Sequence, residues 1–292
     1  MFRIAHISDL HIPPLQRLPM REFAGKRLLG LFSWHFKWKF EHRLTILDAL
    51  LAHLQNIKPD HICVTGDITF TTLPAEVDRA ADWMSRLGDP QRISLIPGNH
   101  DAYVAGALDY ALAKWSRWML DDEGRTGFPY LHRRGPIDII GLSSAVATPP
   151  AVSLGRIGQT QLEKTEALLS RIRADRRPCL LMIHHPPQDG AASPRRALSD
   201  RHKLQELLAR SPVDLVLHGH LHYPTQAVLD CPSGPIPVLG AASASTIGGR
   251  KSVAHYHVIE IETAVGQPRF TVQHYHYNTV SEKFCLGGTQ AL

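Results

Sequence analysis

Apolar residues along the chain fall into short dense runs separated by longer stretches with helical spacing. The runs at 2–8 (FRIAHIS), 61–65, 93–96, 137–142, 179–183 and 213–217 predict strands. Between them, 42–56 carries Leu44, Leu47, Leu50, Leu51 and Leu54 on one helical face, and 75–87, 105–120 and 200–209 also predict helices. The stretch 158–173 predicts a helix with Gln and Glu early and Arg late, an order that suits the helix dipole. Beyond residue 223 the pattern changes. Segments 225–230, 236–241, 253–262 and 269–277 predict consecutive strands split by Pro and Gly turns, several with period-two alternation. Three-quarters of the chain therefore reads as βαβ-like and the part from about 224 as all-β. One compact α/β domain over 1–292, with two sheets and outer helices, accommodates both.

Residues 13–42 interrupt this scheme. Phe32, Trp34, Phe36, Trp38 and Phe40 alternate with polar residues at a strand period, while Leu28, Leu29 and Leu31 have helical spacing. The pattern leaves both conformations open. The insertion follows the first strand, so it is expected at the mouth of any site there: a flap packed on the body, a substrate cap, or a basic-aromatic patch touching an anionic membrane through residues 26–40.

Composition narrows the class. With 43% hydrophobic and 20% charged residues, the 292-residue chain has an ordinary globular make-up. No apolar stretch reaches the roughly 20 residues of a membrane span. The N-terminal stretch has strand rather than signal-peptide character, so a cytoplasmic location is expected. Cys63, Cys179, Cys231 and Cys285 are scattered without a C-x-x-C pair, against disulfide or thiolate chemistry. The net charge of +5 suits a phosphate-bearing partner, with no Lys/Arg block to suggest specific nucleic-acid binding. The informative excess is 18 histidines, several at strand ends.

In open α/β sheets ligands bind beyond the carboxyl ends of the strands. Asp9 and His11 follow the first strand, Asp67 the second, and Asn99, His100 and Asp101 the third (LIPGNHDAY); His184 and His185 follow CLLMI, and His218, His220 and His222 follow VDLVL. Carboxylate, amide and imidazole donors without sulfur suit Mn, Fe, Zn or Co. Seven of them, Asp9, His11, Asp67, Asn99, His184, His220 and His222, exceed what one ion with an open position takes. Shared between two ions with a bridging carboxylate they fit, and a two-metal site stabilises both the attacking and leaving oxygens of a phosphoryl displacement.

The ordered series D-x-H (Asp9–His11), G-D (Gly66–Asp67), G-N-H-D (Gly98–Asp101), H-x-P (His184–Pro186) and G-H-x-H (Gly219–His222) resembles the calcineurin-like metallophosphoesterases. The resemblance implies a four-layer α/β/β/α sandwich of two mixed sheets. It further implies one metal on Asp9, His11 and His222, another on Asn99, His184 and His220, Asp67 bridging them, and His100 contacting the substrate phosphate and assisting the leaving group. The H-x-P form favours His184 over His185 as the ligand. Asp101, His185 and His218 are expected around the ligands, and Arg156, in the long loop before the 158–173 helix, is a candidate substrate contact.

The text after G-D, GDITFTTLPAE, lacks the Asp-Arg-Gly of the protein-phosphatase branch, and the C-terminal part is too short for the nuclease branch's capping domain. What remains resembles bacterial phosphodiesterases of the cyclic-nucleotide and glycerophosphodiester type. A lipid-linked pyrophosphate hydrolase is the alternative suggested by the insertion, and a non-catalytic scaffold the second. His6 reads as a core histidine. His255/His257 and His274/His276, alternating with Tyr256, Tyr275 and Tyr277, read as sheet-packing pairs.

Overall fold

The computed structural model describes residues 1–12, 25–175, 177–248, 252–263 and 268–292. Residues 13–24 of the insertion lie outside the described part. Sheet A is ordered β12-β11-β10-β1-β2-β3 and sheet B β4-β5-β6-β7-β9-β8. Sheet A comprises β1 (Phe2–Ile7), β2 (His61–Val64), β3 (Ile93–Leu95), β10 (His255–Glu262), β11 (Arg269–Asn278) and β12 (Lys283–Ala291). Sheet B comprises β4 (Tyr130–Arg134), β5 (Ile137–Gly141), β6 (Cys179–Met182), β7 (Leu215–His218), β8 (Thr225–Leu229) and β9 (Ile236–Gly240). Both sheets are mixed. β1–β2–β3 and β5–β6–β7–β9 run parallel, and the remaining pairings are antiparallel. The all-β stretch beyond residue 224 is divided: β8 and β9 complete sheet B, and the rest returns to extend sheet A.

Alternation along the central strands shows how the layers stack. Leu180 and Met182 of β6, and Leu215 and Leu217 of β7, join Ile4 and Ile259 of sheet A in one core between the sheets. Leu181 and Val216 point the other way, into a second core beneath α6 (Gln159–Ile172) and α7 (Arg201–Arg210). On the far side α3 (Leu44–Ile57), α4 (Pro74–Leu87) and α5 (Ala107–Trp115) cover sheet A. The result is the expected order of helices, two sheets and helices.

Two strands escape the sequence pattern. β4 (YLHRR) has too few apolar residues, and β12 (KFCLGGTQA) carries two glycines beside a register shift at His274/Tyr275. Each is an edge strand, paired on one side, where backbone pairing outweighs composition.

The described part of the insertion is helical: α1 (Lys26–Ser33), a π turn (Trp34–Trp38) and α2 (Lys39–Glu41). Residues two apart on a helix are turned by roughly 200°, so the alternating aromatics, which would share one face of a strand, are split here between opposite faces. Trp34 and Trp38 pack inward on Phe70, at centroid distances of 5.4 and 4.8 Å. Phe32, Phe36 and Phe40 are exposed. Arg27 donates to the carbonyls of Thr71 and Thr72 and Lys26 to that of Thr148, which ties α1 to the body.

Trp115 of α5 is fully buried and donates from Nε1 to the Val77 carbonyl of α4 at 3.1 Å. Trp115→Ala is expected to lower unfolding free energy by about 3–5 kcal/mol, through the cavity it leaves, measured by urea denaturation.

Candidate metal centre

The carboxyl ends of β1, β2, β3, β6 and β7 converge at one rim of the sandwich, and the residues just past them adopt unusual backbone. Asp9, His11, Asp67, His220 and His222 all have positive φ, between 40° and 71°. Left-handed backbone costs a non-glycine residue about 1–2 kcal/mol, so five such residues in one cluster mark a site held open by its scaffold. Three glycines make the crowding feasible. A Cβ at Gly98 would collide with Asp67, one at Gly219 with Ser8 and Asp9, and one at Gly66 with Gly98 and His184.

The side chains form a buried cage. Asp9 accepts from Ser8 Oγ (2.6 Å) and His220 N–H (2.9 Å) through Oδ2. Its Oδ1 receives no backbone or hydroxyl donor from the described residues and faces His222 Nε2 at 3.1 Å and His11 Nε2 at 3.8 Å. Asp67 Oδ1 is held by the His100 N–H at 2.7 Å. Its Oδ2 lies 3.8 Å from His11 Nε2 and 3.4 Å from His184 Nε2. Asn99 Oδ1 sits 3.2 Å from His184 Nε2 and 2.8 Å from His220 Nδ1. All seven expected ligand residues thus come together, in two groups that meet at Asp67.

Outer hydrogen bonds fix which nitrogen faces inward. His11 Nδ1–H donates to the Thr69 carbonyl (3.1 Å) and His184 Nδ1–H to that of Thr65 (2.7 Å), which directs each Nε2 into the cage. His11 Nε2 and His222 Nε2 approach to 3.1 Å, a separation compatible with two bonds of about 2.0–2.1 Å to a common ion. Asp9 Oδ1 and the buried His220 Nε2, neither with a hydrogen-bond partner among the described residues, likewise fit a cation. Electrostatics agree. Burial alone would lower the pKa of His184, yet Asp67 overrides it and pushes it up to about 9. Burial would raise the Asp67 pKa, and His184 and His100 instead hold it below the usual carboxylate range. The cage attracts positive charge.

The surrounding residues divide by function. Asp101 accepts from the N–H groups of Ile68, Thr69 and Gly98 and so braces the Asp67 loop; burial and the Asp67 charge push its pKa up to about 6. His185 lies against His220 (centroids 4.4 Å), but its nitrogens are bonded to Ser144 Oγ and the Ser153 carbonyl. His218 bonds the Gly219 carbonyl and Thr225 Oγ1, bracing the G-H-x-H turn. His100 donates from Nδ1 to the Phe70 carbonyl at 2.7 Å and stands 4.8 Å, centroid to centroid, from His11. Arg156 is exposed; its N–H bonds the Ser144 carbonyl, and its neighbour Gly155 packs on His185.

Pattern reading missed three neighbours. His42 stacks on Trp38 (4.8 Å) and meets His11 edge-on (4.9 Å), while Trp38 also contacts His100 (5.4 Å) and His222 (5.6 Å). Arg196 donates to the His220 carbonyl at 3.2 Å, placing a cation beside the cage. No motif spacing marks any of them.

A double-sheet sandwich with a His/Asp/Asn cage at its strand ends defines a candidate metal-dependent protein. The fold is shared with a dimetal phosphatase from Danio rerio, at a TM-score of 0.64 and 14% identity over 98% of both chains. A purple acid phosphatase from yellow lupin (Lupinus luteus) seeds also scores 0.64, at 12% identity over 99% of this chain and 53% of the other. The family model for calcineurin-like phosphoesterases matches residues 2–224, and the chain belongs to that family. A protein of Synechococcus sp. named "Probable cyclic nucleotide phosphodiesterase" is 31% identical over 188 residues, 60% of this chain and 62% of that relative's length. One of the same name from Rhodococcus erythropolis is 30% identical over 249 residues, 82% of this chain and 70% of the relative.

Gly98→Ala is expected to displace Asp67 and lose most of the bound metal, whereas Gly288→Ala, whose Cβ would enter open space, retains it. Elemental analysis of the two purified variants checks this.

Proposed function

We propose that the chain is a binuclear-metal phosphodiesterase acting on small phosphodiesters of the nucleotide or glycerophosphodiester type. The observation that carries this is Asp67 Oδ2, a single carboxylate oxygen facing both His11 and His184. One ion would be held by Asp9, His11 and His222, the other by Asn99, His184 and His220, with Asp67 shared; Mn, Fe, Zn and Co all suit these donors. Two such ions would supply an acidified water as nucleophile and neutralise the phosphate charge that repels it.

The remaining work falls to side chains. The bond from His100 Nδ1 to the Phe70 carbonyl fixes the ring and leaves Nε2 for the substrate. With both ring nitrogens protonated, Nε2–H donates to the leaving oxygen and passes its proton there as the P–O bond breaks, leaving a neutral ring that keeps its Nδ1–H on Phe70. Arg196 adds positive charge at the rim, and Trp38 and Phe70 wall the His100 side against water. The phosphodiesterase names of the two bacterial relatives support the substrate class.

His100→Ala is expected to keep its metals and to lose about 10²–10⁴-fold in turnover on diesters with poor leaving groups, with a smaller loss on bis(nitrophenyl) phosphate. Equal losses on both would remove the leaving-group role, and wild-type protein that holds no metal or hydrolyses neither ester would leave a binding scaffold.

A second reading concerns a substrate with a lipid tail. Leu29, Phe32, Phe36 and Phe40 form an exposed apolar row on the insertion, Phe36 being 73% exposed, beside the tryptophan face that reaches the cage. No described helix is long and apolar enough to cross a membrane, so contact through this row would be peripheral. Wild type is expected to float with anionic liposomes and Phe32→Ser/Phe36→Ser to stay behind. Wild type that does not float ends this reading and leaves the small-diester one intact.

A further inference from the structure

A second histidine cluster stands on β10 and β11. The antiparallel register sets His257 opposite His274 and His255 opposite His276. Alternation sends Tyr256 and Tyr275 toward His53 of α3, and the histidines toward sheet B, where His257 Nε2 meets the Gly240 carbonyl. Sheet packing thus accounts for the tyrosines and leaves the histidines unexplained.

His255, His257 and His274 each bring a ring nitrogen within 4.8 Å of the other two. Their ring centroids lie 4.5 Å (His255–His257) and 4.9 Å (His257–His274) apart. The hydrogen on His257 Nε2 goes to Gly240 at 3.2 Å, so Nδ1 carries the lone pair; that atom is buried and has no partner among the described residues. Both nitrogens of His255, a residue only 5% exposed, also lack partners among them. Orphaned nitrogens in a buried cluster need an explanation. A carbonyl fixing one imidazole nitrogen while the other keeps its lone pair among neighbouring imidazoles is the arrangement of a metal-ligating histidine. His274, half-buried, opens the cluster to solvent.

We propose that His255, His257 and His274 form a mononuclear transition-metal site, separate from the cage at the strand ends. Three imidazoles without carboxylate or thiolate select Zn, Co, Ni or Cu over Mg, Ca or Mn. Around a tetrahedral ion the nitrogens sit about 3.3 Å apart, reached by swinging the rings inward, with water as fourth ligand on the His274 side. The bound ion cross-links β10 and β11 behind β1. His6 connects the two sites: its ring stacks on His257 (5.6 Å), and its Nε2 bonds Oγ1 of Thr65, whose carbonyl orients His184.

The full chain, loaded with Co2+ and freed of excess ion, tests this by cobalt count per chain and visible absorption. Wild type is expected to hold three ions and His274→Ala two, with the missing ion's absorption band lost. In an Asp67→Ala background, which disables the cage, one ion should remain and vanish on adding His274→Ala. Equal cobalt content with and without the His274 change, in both backgrounds, overturns the proposal. Wild type with one ion that His274→Ala abolishes would support this site while refuting the cage assignment.

Discussion

Two carboxylates, Asp9 and Asp67, are buried at the meeting point of five strand ends, and the architecture of the site follows from that constraint. Buried carboxylates are costly unless positive charge meets them. Imidazoles face them, and two of these, His11 and His184, are turned by backbone carbonyls so that Nε2 points inward. The raised pKa of His184 expresses the same demand: a proton is drawn to the place where a metal ion would provide more charge.

Holding such a cage requires a rigid frame. Positive φ at Asp9, His11, Asp67, His220 and His222 is tolerated because the strands that end there are locked between two buried cores. Parallel strands suit this purpose, since their carboxyl ends emerge on one rim and the connecting helices are kept to the outer faces. Asp101 illustrates the bracing: its oxygens gather the N–H groups that shape the Asp67 loop.

The insertion between β1 and α3 adds what the frame lacks. Its inner face supplies Trp38 against His11, His100 and His222, and His42 at its end closes the wall. Its outer face leaves a phenylalanine row in solvent. One short helical segment therefore shapes the inner environment and presents a surface, because its two i,i+4 rows point opposite ways.

The sequence by itself determined the strand-end motifs, the βαβ alternation and all seven cage residues. Those signals are local: a buried strand is a short apolar run, and a glycine beside a polar residue marks where two backbones nearly touch. Other features were decided in three dimensions. The insertion looked equally like strand or helix until Phe70 offered the tryptophans a surface, and edge strands β4 and β12 exist through pairing rather than composition. His42, Trp38 and Arg196 belong to the site only because the chain returns there. The His255–His257–His274 cluster depends on β10 and β11 lying in register, with Gly240 of the opposite sheet fixing a tautomer. Periodicity reports which face a residue occupies. What waits on that face is set by residues far away in sequence, as His11 and His222, separated by 211 positions, demonstrate.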